Sequence, residues 1–99
     1  MRFVNGAGGF QQITGLDTVK TLTVPAGARG AMISAGTQTV RFRADGTAPT
    51  ATIGNILLAT GVNPMIFEGS GTAEGQEMLA QLQFIETTAS AVLNVSYFY

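Results

Sequence analysis

The chain has 99 residues, a formal net charge of −1, 11% charged residues, and neither cysteine nor histidine. That balance makes no electrostatic case for nucleic acid or an anionic membrane as partner, and it removes disulfides, thiol chemistry, Ser-His-Asp and Cys-His nucleophiles and the usual zinc sites. With 45% apolar residues and a mean hydropathy of +0.28, the chain is no disordered segment, and its length is that of a single domain spanning residues 1–99.

Residues 1–9 read as a flexible N-terminal arm, because Gly6, Gly8 and Gly9 fall within four positions. Arg2 and Phe3 lie in that arm and are candidates to pair as an edge strand or to reach a neighbour. Residues 1–6 lack the apolar core of a signal peptide, so the expected product is cytosolic or belongs to an assembly built there. The longest apolar runs, such as residues 56–59, fall far short of the roughly 18 residues a spanning helix needs.

Residues 10–13 make a short strand closed by Gly15. Residues 19–24 make a clearer one, with Leu22 and Val24 inward, ended by a turn at Pro25-Ala26-Gly27. Residues 30–35 follow, Ile33 on one face and Met32 on the other. Gly36-Thr37 then reads as a hairpin connection into residues 39–43. Residues 51–53 form a short strand or an extended loop, and Gly54-Asn55 and residues 61–64 bracket a strand at 56–59. Residues 65–67 make another, closed by Gly69-Ser70-Gly71. In residues 73–86 the alternation of Leu82 and Phe84 with Gln81 and Gln83 has strand spacing. The expectation there is a turn near Gly75 with about one helical turn, then a strand from about Leu79 to Glu86. Residues 91–99 close the chain as a strand, with Leu93, Val95, Tyr97 and Tyr99 facing one way and Asn94, Ser96 and Phe98 the other. That strand carries no charge, so it must be paired centrally or covered by a neighbour.

The count is seven or eight short strands with turn signals every 8 to 12 residues, which marks an all-β fold. The expectation is an antiparallel β-sandwich, with the jelly roll among its forms. Its core should contain Leu22, Val24, Ile33, Val40, Phe42, Phe67, Leu82, Phe84, Leu93 and Val95.

Charge clusters most sharply in Val40-Arg41-Phe42-Arg43, where the two arginines share one strand face and Asp45-Gly46 supplies a turn. Three uses suit the pair: a solvated face, a contact in which guanidinium groups fork onto a neighbouring subunit, or nucleic acid. The interface candidates are Arg2, Phe3, Arg41, Arg43, Asp45 and Phe98. No catalytic residue, metal ligand or cofactor site is assigned. Lys20 is the sole lysine available to a Ser-Lys dyad. Glu68, Glu74 and Glu77 flank a glycine-rich loop without the aromatic cleft a glycosidase uses, and Asp17 and Asp45 are too isolated for calcium. Tyr97 and Tyr99 are candidate glycan platforms, although their parity places them in the core or an interface. Asn94-Val95-Ser96 matches a glycosylation sequon by chance, in mid-strand.

A 10.3 kDa monomer should expose roughly 5,400 Å², so its five basic and six acidic residues would stand about one per 500 Å². Such sparseness favours a subunit covered by neighbours. Residues 24–31, the Arg43-Ala44-Asp45-Gly46-Thr47-Ala48-Pro49-Thr50 block, Phe84-Ile85-Glu86 and residues 93–97 together resemble small proteins encoded among the structural genes of tailed bacteriophages. The likeness runs from about residue 18 to the C-terminus. It implies a non-enzymatic β-sandwich virion component, a capsid decoration or cement protein, assembled in the host cytoplasm. Its implied partners are the major capsid protein or other virion proteins, with homo-oligomerisation. The alternative is a glycan-binding module on a tail or fibre.

Overall fold

The structure is a computed structural model, and it describes residues 9–59, 64–69 and 71–99. The N-terminal arm through Gly8, with Arg2 and Phe3, and the expected loop at 61–63 lie outside the described residues. Among the described residues, eight strands and one helix follow in chain order. They are β1 (Phe10–Ile13), β2 (Lys20–Thr21), β3 (Gly30–Gly36), β4 (Val40–Arg43), β5 (Asn55–Leu57), β6 (Met65–Glu68), α1 (Thr72–Gln81), β7 (Gln83–Glu86) and β8 (Val92–Phe98). The strands form two four-stranded antiparallel sheets, ordered β1-β8-β3-β6 and β2-β7-β4-β5. This is the expected all-β sandwich. The pairing has one rule: β1 lies beside β8, β2 beside β7, β3 beside β6 and β4 beside β5. The chain therefore behaves as one long hairpin folded over upon itself.

Alternation places the core. In β3, Ala31, Ile33 and Ala35 are buried while Met32 and Ser34 are half-buried on the other face, and β8 repeats the pattern with Leu93, Val95 and Tyr97. From the second sheet come Val40, Phe42, Leu57 and Phe84. Phe42 meets Phe67 edge-on, with ring centroids 5.6 Å apart, and lies 6.1 Å from Phe84. Since Phe67 belongs to β6 and Phe42 to β4, that contact puts β5 and β6 on the same flank of the sandwich. All ten expected core residues are buried or packed against the buried cluster. Ile13, Leu16, Leu57 and Leu79 join them without having been expected, and Tyr97 is buried as its inward parity required. The exposed surface is 5290 Å², close to the value anticipated from mass.

The terminal strand β8 is central, with partners on both sides, which settles how an uncharged strand avoids being an edge. Three expectations fail. Gly36-Thr37 is no hairpin, because β3 and β4 belong to different sheets; the segment is an arch between them. Its left-handed Thr37 donates its hydroxyl to the carbonyl of Ser90, itself left-handed. Turn chemistry reports such a backbone reversal but not which sheet the chain enters next. The strand expected at residues 19–24 is only Lys20–Thr21, although Leu22 is buried and Val24 packs against the core. Of the two forms expected at residues 51–53 the chain takes the loop, in which the Thr50 hydroxyl accepts from the amides of Thr52 and Ile53.

The third concerns residues 73–86. The helix runs for ten residues and the strand does not begin until Gln83. Gly75 and Leu79 fall at i and i+4 on one face, both buried, and Leu82 is buried just past the end of the helix in extended backbone. One member of that face is a glycine, so the apolar period looks incomplete on paper. The reason for glycine is spatial: a Cβ at Gly75 would sit 2.3 Å from the carbonyl oxygen of Arg29. The helix rests directly on the backbone leading into β3. Gln76 fixes it there by donating to the carbonyls of Pro25 (2.9 Å) and Ala28 (2.6 Å).

Candidate functional site

Arg41 and Arg43 project from the outer face of β4 as their alternation requires, and both are half-buried. Arg41 donates through Nε to the carbonyl of Ala51 (3.1 Å) and through Nη1 to that of Gly54 (2.8 Å). Arg43 donates through Nε to Asp45 Oδ1 (3.1 Å) and through Nη2 to Asp45 Oδ2, a bidentate pair. Asp45 Oδ1 also accepts from the amide of Thr47, and Gly46 takes a positive φ of 78°, so the turn is tied at both ends. The arginines thus brace the 44–54 excursion of their own chain, a use that sequence alone did not suggest.

The hydrogen bond from Arg43 holds the Asp45 carboxyl below its ordinary range, and the same bond raises Arg43. A lowered carboxyl pKa supports the turn at neutral pH. That support goes as pH falls through the lowered value. Arg43, Ala44, Asp45, Ile53, Gly54 and Asn55 line an open cleft of about 580 Å³.

The other candidates separate. Glu74 and Glu77 line a small depression on α1 with Met78 and Gln81; Glu68 lies on β6 and is not part of that wall. Among the described residues no three acidic, histidine or cysteine side chains converge as a metal site. Phe98 is 9% exposed, so the isolated chain offers little of it to a partner. Asn94 accepts from Gln12 Nε2 across β8 and β1, in the middle of a sheet. Tyr97 is 1% exposed, which removes it as a platform for a sugar ring. Burial, with a smaller effect from Tyr99, pushes its phenol up to about 12.

Tyr97 instead donates to Gln11 Oε1 (2.7 Å), which also accepts from the amide of Thr23 (3.2 Å). Gln11 sits opposite Val95 in the register and so shares its inward face. It latches β1 of the first sheet to the segment after β2 of the second. Sequence reading missed this residue, since a glutamine in an edge strand gives no sign of facing inward.

Exposed apolar residues are the strongest surface feature. Phe10, Ile53, Ile56, Leu58, Met65 and Ile66 are 59, 57, 49, 56, 38 and 49% exposed. They lie on or beside β1, β5 and β6, three of the four sheet edges. The register aligns part of this set. Phe10 pairs with Ser96, Ser96 with Met32, and Met32 with Ile66, forming one row across the outer face of the first sheet. Gln12, Asn94 and Ser34 form the next row, and Phe98, Gly30 and Glu68 the row on the other side. Glu68 is the one charge in these three rows. Strand parity was the available signal for this face, but it needed the sheet order to become a row.

Compared with protein-family models, curated proteins and solved structures, the chain matches none of them. The likeness to phage virion proteins therefore rests on the residues quoted for it, with no support from these comparisons.

Proposed function

We propose that this chain is a non-enzymatic structural component of a bacteriophage particle, a capsid decoration protein that stabilises the shell by burying surface against its subunits. The observation that carries the reading is the placement of large exposed apolar side chains along three sheet edges of a chain with few charges. Burial of such surface is worth roughly 25 cal/mol per Å², and it needs no cofactor or reactive group. We also infer that the pairing of each strand with its counterpart from the other end of the chain is jelly-roll order. That architecture serves both capsid and lectin domains and so does not choose between them. Burial of Tyr97 favours the first over a glycan-binding module on a tail or fibre.

The test adds purified protein to empty phage shells lacking their decoration layer. Saturable sedimentation with the shells, at a copy number matching a lattice position, and a raised shell melting temperature are expected. Failure to sediment with any shell, together with retention on a glycan array, would replace this reading by the tail or fibre module.

A further inference from the structure

We propose that the outer face of the β1-β8-β3-β6 sheet is a two-fold self-association surface, in which Phe10 of one copy packs over Ile66 of a second copy and the reverse. The inference rests on the assembly reading above and names one of its contacts. The row Phe10–Ser96–Met32–Ile66 has a large apolar side chain at each end. A two-fold axis through its middle, between Ser96 and Met32, brings each end of one row over the opposite end of the other. Such an isologous contact makes every interaction twice.

Three properties of the face suit a second copy of this chain. Its rows hold amides, hydroxyls, Met and Phe, with Glu68 alone charged and at the β6 side, so two copies meet without like charges at the centre. That is the composition of an interface core, where charges are depleted and aromatic residues and Met enriched. The footprint fits a reversible contact: four strands at about 4.8 Å and five residues at about 3.4 Å give a face of about 19 by 17 Å, roughly 320 Å² on each copy. Two such faces bury about 650 Å² in total, below the roughly 1,000 Å² of a stable contact, so the association is weak and reversible. Finally, Phe10 and Ile66 stand on the two edge strands of this sheet, so face-to-face packing also shields both edges.

The test is sedimentation equilibrium on the purified full-length chain, without shells, over a micromolar to sub-millimolar range. The wild type should show a concentration-dependent monomer–dimer equilibrium. Phe10→Lys and Ile66→Lys should each weaken it tenfold or more, while Ile56→Lys, on the outer face of the other sheet, should leave it unchanged. Phe10→Lys and Ile66→Glu should each be monomeric alone and associate when mixed, because the two-fold arrangement sets position 10 of one against position 66 of the other. Circular dichroism on each variant checks folding, and these exposed positions should retain it. A wild type that stays monomeric throughout overturns the proposal, as does a dimer indifferent to Phe10→Lys, which would point to edge pairing through β6. Shell binding by a monomeric wild type would overturn this contact and leave the decoration reading standing.

Discussion

Gly75→Ala sets two effects of opposite sign against each other. In a free helix the change gains about 1 kcal/mol, since glycine is the poorer helix former. Here the new Cβ would lie 2.3 Å from the Arg29 carbonyl oxygen and 2.6 Å from its Cα, backbone atoms that cannot rotate aside. Ordinary contact requires about 3.5 Å, so α1 must lift by roughly 1 Å. Lifting stretches both Gln76 hydrogen bonds to Pro25 and Ala28 and loosens Leu79 and Leu82, each with no exposed surface. Overpacking costs about 1–3 kcal/mol, and each weakened bond about 0.5–1.5 kcal/mol. After the helix-propensity gain, the variant should be destabilised by about 1–5 kcal/mol. Urea unfolding followed by far-UV circular dichroism measures it, with Ala80→Gly on the exposed side of α1 as control. The control should lose about 1 kcal/mol. A Gly75→Ala protein more stable than wild type would refute the placement of α1 on the β3 backbone.

Phe42→Ala should cost about 3–5 kcal/mol, because a ring 5% exposed leaves a cavity between Phe67 and Phe84; a loss below about 1 kcal/mol in the same assay would mean β4 faces the other way. Arg41→Gln should lower stability by about 1–2 kcal/mol by releasing the carbonyls of Ala51 and Gly54, a fall of roughly 4–8 °C in Tm per kcal/mol for a domain of this size. Arg43→Gln should move the Tm little, since its partner Asp45 is solvent-exposed. For Tyr97, ultraviolet titration of the folded protein should show one phenol ionising near 12. Because that value lies above the ordinary phenol value of about 10, its contribution is complete below pH 10 and is lost as pH rises toward 12, in all about 2–3 kcal/mol. Tyr97→Phe should abolish that loss, and a wild type with no phenol ionising near 12 would contradict the burial of Tyr97.

Strand identity and facing were legible in the sequence wherever one face is apolar and the other is not. Residues 30–35, Val40 to Arg43 and residues 91–99 alternate because a half-buried strand exposes every second residue, and that pattern is local. Turn positions such as Pro25-Ala26-Gly27 and Asp45-Gly46 were legible for the same reason, as local backbone chemistry. The Ala28 amide donates to Pro25, and Gly46 takes its positive φ. Other features depend on what lies across from a residue, and local pattern does not encode that. Gly36-Thr37 crosses between sheets instead of closing a hairpin. Gly75 is the seat of a helix, and Arg41 grips carbonyls ten and thirteen residues away. Gln11 faces inward because the sandwich closes there over Tyr97 and Thr23. The row from Phe10 to Ile66 exists only after residues 10, 96, 32 and 66 are brought side by side in one sheet. Sequence alone set which faces are apolar; the order of the strands decided which of those faces meet, since that order arises from contacts among residues distant along the chain.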